Sequence, residues 1–193
     1  NQAIKILPLV NNKKKLVSFI EDDRKISLAK PNLFGNELKY LTNCVNTGWI
    51  SSTGKYVRLF EKKFSKYTKI KHSLAVSNGT VALQLALNTL DIGLNDEVIV
   101  PNLTFASPVN AIIHAAAKPV FVDVNEKTFC IDENLIEKKI SKRTKAIIVV
   151  HLYGHPANMK KILKIANKYN LKIIEDCAEA ISSFYNKKHV GNF

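Results

Sequence analysis

Three carboxylates, those of Glu175, Asp176 and Glu179, follow a predicted strand in the segment EDCAE at residues 175–179. The apolar run at residues 171–174 predicts a buried strand, so Asp176 stands at its carboxyl end, where α/β proteins bind ligands. A carboxylate at that depth needs a partner, and a protonated ring nitrogen would be one. A structural alternative remains open, because Asp176 and Glu179 also fit a helix N-cap with a capping box.

A second candidate is the segment SNGT at residues 77–80, which lies between a predicted strand and a predicted helix. Free backbone N–H groups and the helix dipole favour an anion at such a position. Gly79 allows a close approach of the backbone, and Thr80 adds a hydroxyl. The segment is neither a P-loop nor a dinucleotide fingerprint, and a simple polar N-cap is the alternative.

Residues 101–107, PNLTFAS, follow another predicted strand and place Phe105 at the same sheet edge. An aromatic ring there could stack on a flat cofactor ring, although an aromatic residue is more often part of the core.

A third cluster, His151, Tyr153 and His155, also follows a strand but lacks the spacing of a metal site. A structural loop is therefore the default interpretation, and residue order alone supports no Ser-His-Asp arrangement.

The elements that would position these residues alternate regularly. Short apolar runs predict strands at residues 74–76, 97–100, 120–124, 146–150 and 171–174. Helical patterns occupy residues 81–90, 106–116, 133–140 and 157–169. Crossover connections of this kind predict an α/β fold with a largely parallel sheet covered on both faces.

The first part of the chain has a different pattern. Residues 5–10 and 16–20 predict a β-hairpin, and residues 36–46 and 55–67 predict two helices. The hairpin resembles the closing hairpin of a CBS domain, and a plain amphipathic hairpin is an equal alternative. We expect residues 1–26 to be the end of an upstream domain.

Composition limits the function classes. The 193 residues are 46% apolar, enough for a sizeable core, and carry a net charge of +13. The basic residues are mostly lysines spread along the chain, as expected for solvated helix faces, so we predict no nucleic-acid partner. Three cysteines without metal-ligand spacing predict reduced thiols and a cytoplasmic protein. No apolar run reaches the length of a membrane span, and we predict no membrane partner.

Together, several stretches resemble the DegT/DnrJ/StrS-type sugar aminotransferases, which are fold-type I enzymes using pyridoxal 5'-phosphate (PLP). The matching stretches follow the family order and lie at residues 30–31, 48–52, 75–83, 96–101, 120–123, 151–156 and 175–180. The resemblance implies that residues 27–193 are the N-terminal part of an aminotransferase large domain. Within the family, the sequence of these stretches is most similar to that of perosamine-synthase-like members.

The resemblance also implies roles for individual residues. Gly79 and Thr80 would hold the cofactor phosphate, Phe105 would stack on the pyridine ring, and Asp176 would pair with the ring nitrogen. Glu179 would lie near the ring hydroxyl. Trp49 would line the sugar site.

Two departures from the family pattern stand out. Ile181-Ser182 replaces the His-Gly or small pair that is usual in relatives. The family's Schiff-base lysine and a phosphate-binding serine are expected beyond Phe193, so this chain alone is expected to be inactive.

The implied reaction transfers an amino group, expected from glutamate, to a nucleotide-linked 4-keto-6-deoxy sugar such as GDP-4-keto-6-deoxymannose, in a homodimer. A PLP-dependent sugar dehydratase of the same family and a non-catalytic regulatory domain are the alternatives.

Overall fold

The computed structural model describes residues 6–13, 15–21 and 31–193. The chain divides into two compact units, Asn1–Ser51 and Ser52–Phe193. The predicted boundary at residues 26 and 27 lies outside the described residues, and the likeness to a CBS domain stays a prediction.

The first unit contains a hairpin and a helix. Strands β1 (Ile6–Val10) and β2 (Leu16–Glu21) pair antiparallel, which confirms the predicted hairpin. Helix α1 (Glu37–Asn46) buries none of its residues and ends before Gly48, whose φ of 71° is the left-handed conformation that glycine favours.

The second unit is built around a four-stranded parallel sheet with strand order β4-β3-β5-β6. Its strands are β3 (Glu97–Pro101), β4 (Lys118–Val122), β5 (Thr144–Val150) and β6 (Lys172–Asp176). The helices are α2 (Lys55–Thr68), α3 (Gly79–Thr89), α4 (Ala106–His114), α5 (Glu133–Ile136) and α6 (Met159–Tyr169).

The core lies on both faces of this sheet. Side chains alternate along β3, so Val98 and Val100 pack on one face and Ile99 packs on the other. Residues from α3 and α4 cover the first face, and residues from α5 and α6 cover the second. The predicted parallel sheet with two covered faces is therefore confirmed.

The strand order places a crevice at the carboxyl ends of β3 and β5. The chain leaves β3 toward β4 on one side, then crosses back to β5 and β6 on the other. Ligands of open α/β sheets bind at this kind of topological switch point, outside the carboxyl ends of the strands.

The strand predicted at residues 74–76 is wrong, because this segment joins no ladder in the structure. The N–H of Ala75 donates instead to Oε1 of Glu61 on α2, at 2.9 Å. A strand requires a backbone partner, and here a side chain takes that place.

Two other segments differ in detail from the sequence pattern. The helix predicted at residues 133–140 consists of α5 followed by a 3-10 turn, Glu137–Lys139. A short hairpin, β7 (Phe184–Tyr185) and β8 (Lys188–His189), comes after β6. Within the described residues, no helix has the length and apolar character needed to cross a membrane.

Candidate functional site: a pocket at the carboxyl ends of the strands

A cleft of about 390 Å³ opens at the switch point, and we call it the strand-end pocket. Its lining comes from the start of α3, the loop between β3 and α4, and the ends of β5 and β6. The lining residues are Asn78, Gly79, Thr80, Leu83, Thr104, Phe105, Ser107, Val150, Leu152, Asp176, Ala178 and Glu179.

Five residues singled out in the sequence line this pocket together: Gly79, Thr80, Phe105, Asp176 and Glu179. They come from three separate segments that only the parallel sheet brings to one edge. Trp49 belongs to the first compact unit, where its side chain is 55% exposed. Its role at a sugar site stays a prediction.

One side of the strand-end pocket is suited to an anion. Oδ1 of Asn78 accepts a hydrogen bond from the N–H of Val81 at 3.0 Å and so caps α3. The polar N-cap considered from the sequence therefore exists, and Asn78 forms it. This cap does not use the N–H groups of Gly79 and Thr80, which have no intrahelical acceptor at the start of a helix.

Gly79 also leaves room in the pocket. A Cβ built on Gly79 would meet no atom within 4 Å, and its φ is not positive. Neither backbone strain nor protein packing therefore requires glycine here. The free space at Gly79 fits a group that approaches the backbone from the pocket.

The ring of Phe105 is 77% exposed and lines the strand-end pocket. The alternative that Phe105 belongs to the core is therefore wrong. The residue comes directly before α4, outside the layers that cover the sheet, and its exposed ring provides a flat apolar surface for stacking.

Asp176 is the last residue of β6. Its Oδ1 accepts a hydrogen bond from the N–H of Ala178 at 3.1 Å, which closes a tight turn through one oxygen. The N-cap alternative is wrong, because turns rather than a helix follow at residues 177–183. The carboxylate is left at the pocket wall.

Glu179 does not return to Asp176 as a capping box would require. Its Oε2 accepts a hydrogen bond from the N–H of Tyr153 at 2.6 Å. Tyr153 has a φ of 52°, which is unusual for a residue with a side chain, and the carboxylate holds the turn that contains it. Glu179 thus connects the segment after β6 to the segment after β5.

A buried network behind Asp176 was not predicted. His151 is fully buried, and its Nδ1 accepts from the N–H of Ala157 at 3.1 Å. The proton therefore lies on Nε2, which donates to Oε2 of Glu175 at 3.0 Å. Glu175 also accepts from the N–H groups of Gly191 and Phe193, both at 2.8 Å.

Cys177 completes a group of potential metal ligands with His151 and Glu175, whose ligand atoms lie within 4.8 Å of one another. Burial, together with the charges of Glu175 and Asp176, raises the pKa of the Cys177 thiol to about 12. A metal would need the thiolate and would compete with the hydrogen bonds of His151 and Glu175. We therefore interpret His151, Glu175 and Cys177 as part of a structural hydrogen-bond network and not as a metal site.

Two pocket residues lay in the sequence stretch quoted above without being singled out. Ser107, in the first turn of α4, accepts a hydrogen bond from the hydroxyl of Thr80 at 2.8 Å. Oγ1 of Thr104 is buried and has no hydrogen-bond partner among the described residues. The sequence signal that could have identified Ser107 is a polar residue in the first turn of a helix that follows a strand.

Comparison with known proteins identifies the family. Residues 31–193 match the DegT/DnrJ/EryC1/StrS aminotransferase family. The chain belongs to this family. It is 48% identical over 168 residues to the GDP-perosamine synthase of Escherichia coli O157:H7, a match that covers 87% of this chain and 46% of that protein. The chain therefore spans about half the length of the curated relative that it matches.

Solved structures of the family share the fold. The PMP form of the sugar aminotransferase Spr1654 from Streptococcus pneumoniae, described as putative, superposes with a TM-score of 0.82 at 30% identity, covering 86% of this chain and 46% of that one. A GDP-4-keto-6-deoxymannose-3-dehydratase with a trapped PLP-glutamate geminal diamine gives 0.78 at 26% identity, covering 84% and 44%. The expected fold-type I architecture is therefore confirmed for the part of the large domain present here.

Proposed function

We propose that the strand-end pocket binds PLP and that the protein transfers an amino group from an amino acid, expected to be glutamate, to a nucleotide-linked 4-keto-6-deoxy sugar. The observation that carries this proposal is the joint presence of Gly79, Thr80, Phe105 and Asp176 in one pocket. Family membership and the likeness to GDP-perosamine synthase support the reaction class.

The lining fits the cofactor chemically. PLP carries a phosphate, a flat ring and a ring nitrogen that can be protonated. The pocket offers the first turn of α3 for the phosphate, the exposed ring of Phe105 for the pyridine, and the carboxylate of Asp176 for the nitrogen. The free space at Gly79 allows the phosphate to approach the backbone closely.

When bound, PLP supplies an electron sink for the carbanion formed when an amino acid loses its α-proton. In this proposal, Asp176 holds a proton at the ring nitrogen, because an ionised carboxylate stabilises the charged nitrogen. Phe105 would cover one face of the ring and exclude water from it. Glu179, whose carboxylate accepts a hydrogen bond from the N–H of Tyr153, would lie near the ring hydroxyl, as the family resemblance implies.

Other parts of the proposal rest on the family alone. The Schiff-base lysine, a homodimeric state and a contact of Trp49 with the sugar are carried over from the resemblance. The nucleotide is proposed to be GDP, in line with the name of the Escherichia coli relative.

A sugar dehydratase is the second candidate, because a GDP-4-keto-6-deoxymannose-3-dehydratase shares the fold. Both candidates use the same pocket contacts and differ in the residue that moves the proton. In the dehydratases of this family a histidine replaces the lysine, so the residue at that position separates the two.

The experiment uses the complete product of the gene that encodes this chain. It is incubated with PLP, glutamate and GDP-4-keto-6-deoxymannose, and the sugar product is analysed by mass spectrometry. The proposal predicts an aminated sugar and 2-oxoglutarate in equal amounts. A deoxygenated keto sugar would support the dehydratase, and the absence of PLP binding would refute both.

A further inference from the structure

The hydroxyl groups of Thr80 and Ser107 form a direct link between two helices. Thr80 lies in the first turn of α3 and Ser107 in the first turn of α4, and their oxygens are 2.8 Å apart. Both residues line the strand-end pocket. The two helix starts therefore meet at one place in its wall.

The direction of this hydrogen bond determines which proton remains available. Thr80 donates to Oγ of Ser107. A hydroxyl carries a single proton, so the proton of Thr80 is already used, whereas that of Ser107 is not used in this contact. Ser107 is thus the member of the pair that can donate to a ligand in the pocket.

The surroundings of Ser107 also favour an anion. The residue before α4 is Phe105, which makes no side-chain cap, and the N–H groups of Ala106 and Ser107 have no intrahelical acceptor at the start of this helix. Thr104, three residues before Ser107, has a buried Oγ1 without a partner among the described residues and lines the same pocket. A buried hydroxyl without a partner is costly, and a polar ligand in the pocket would supply one.

We infer that Ser107 is a phosphate ligand of the strand-end pocket, and that Thr80 acts partly by orienting the Ser107 hydroxyl. The inference rests on the proposed function and adds the start of α4 to the start of α3 as a binding element. A hydrogen bond received from Thr80 strengthens the one that Ser107 donates, because hydrogen bonds in a chain polarise one another.

The test compares two ligands that differ only in the phosphate, pyridoxamine 5'-phosphate and pyridoxamine. Their dissociation constants are measured by calorimetry on the complete gene product, and the ratio of the two constants reports the phosphate contacts. The variants are Ser107→Ala, Thr80→Val, the double variant and Ser107→Thr, which retains the hydroxyl. Thr89→Val is the matched control, because the Thr89 hydroxyl donates to the Leu85 carbonyl within α3.

We expect Ser107→Ala to weaken binding of pyridoxamine 5'-phosphate about ten-fold or more, as for a lost hydrogen bond to a charged group, and to leave pyridoxamine unchanged. Ser107→Thr should restore the ratio. In the Ser107→Ala background, Thr80→Val should have a smaller effect than in the wild type, because part of its effect passes through Ser107.

Three results would overturn the inference. The first is that Ser107→Ala leaves the affinity for both ligands, and so the ratio of their dissociation constants, at the wild-type value. The second is that Ser107→Ala weakens the binding of both ligands equally, which would indicate a structural role for Ser107. Fully additive effects of the two substitutions would refute the link between them. These outcomes leave the proposed function standing, whereas a wild-type protein that binds neither ligand would refute the function itself.

Discussion

Nε2 of His151 donates a hydrogen bond to Oε2 of Glu175 at 3.0 Å, and both side chains are almost completely buried. This contact connects the end of β5 to β6 directly before Asp176. Glu175 also accepts hydrogen bonds from the N–H groups of Gly191 and Phe193. The position of Asp176 at the pocket wall therefore depends on a network on the opposite side of its strand.

Removal of the Glu175 carboxylate should destabilise the protein strongly. Glu175→Ala leaves His151 and two N–H groups without their acceptor, and the free energy of unfolding should fall by about 3 kcal/mol. Denaturant unfolding measures this change. Glu137→Gln, which breaks an exposed pair with Lys168, is the control and should have no measurable effect. Equal effects of the two substitutions would contradict the account.

Two glycines should respond in opposite ways to alanine. Gly191 has a φ of 86°, and a Cβ there would lie 3.3 Å from Sγ of Cys177, so Gly191→Ala should cost about 1 to 2 kcal/mol of stability.

Gly79→Ala should keep or slightly raise stability, because the position is open and helical. Gly79→Ala should nevertheless weaken binding of pyridoxamine 5'-phosphate, and unchanged binding would contradict the proposed phosphate site.

Cys177 should be unreactive at moderately alkaline pH. Its raised pKa of about 12 leaves far less thiolate at pH 8 than a free cysteine has. Iodoacetamide labelling of the folded protein, followed by mass spectrometry, should modify Cys177 far more slowly than the same cysteine in denaturant. Similar rates in the two states would refute the environment described for Cys177.

The same thiol should make stability fall at alkaline pH. Between about pH 9 and 12 the unfolded thiol loses its proton and the folded thiol keeps it, so the unfolded state binds fewer protons and stability decreases as pH rises. The unfolding free energy of Cys177→Ala should therefore fall less steeply over this range than that of the wild type. Parallel curves would show that Cys177 does not contribute.

Glu97 should contribute in the opposite pH range. A hydrogen bond from Ser141 and the adjacent Arg143 and Lys118 lower the pKa of this buried carboxylate below 4.5. Its contribution to stability is present above pH 4.5 and is lost as pH falls through the lowered pKa. Glu97→Gln should lower stability at pH 7 by about 1 kcal/mol and flatten the acid limb. The exposed Glu126→Gln serves as the control.

The sequence was sufficient for most of the fold where local pattern and burial agree. The strands β3, β5 and β6 are apolar runs between helical patterns, and the structure has them at nearly the predicted positions. Residues 74–76 have the same apolar character but no ladder, because pairing depends on a partner that local pattern does not reveal. For helix α1 the local pattern predicted the helix correctly, although none of its residues is buried.

The candidate site was predictable to the extent that its residues follow strands. Phe105 and Asp176 could be placed at one sheet edge from topology alone. The hydrogen bond between Thr80 and Ser107 could not be predicted, since these residues lie in different helices and are 27 positions apart in the sequence. The carboxylate oxygens of Glu175 likewise accept hydrogen bonds from the backbone N–H groups of Gly191 and Phe193, and no sequence spacing indicates this contact.

The central claim is that Asp176 binds the ring nitrogen of the cofactor, and the affinity of Asp176→Asn for pyridoxamine 5'-phosphate and for pyridoxamine tests it most directly. Asp123→Asn, which changes a carboxylate in the loop after β4, is the matched control. We predict that Asp176→Asn weakens both ligands about ten-fold or more, because both carry the ring nitrogen, while the control binds like the wild type. Unchanged affinity of Asp176→Asn for both ligands would contradict the account.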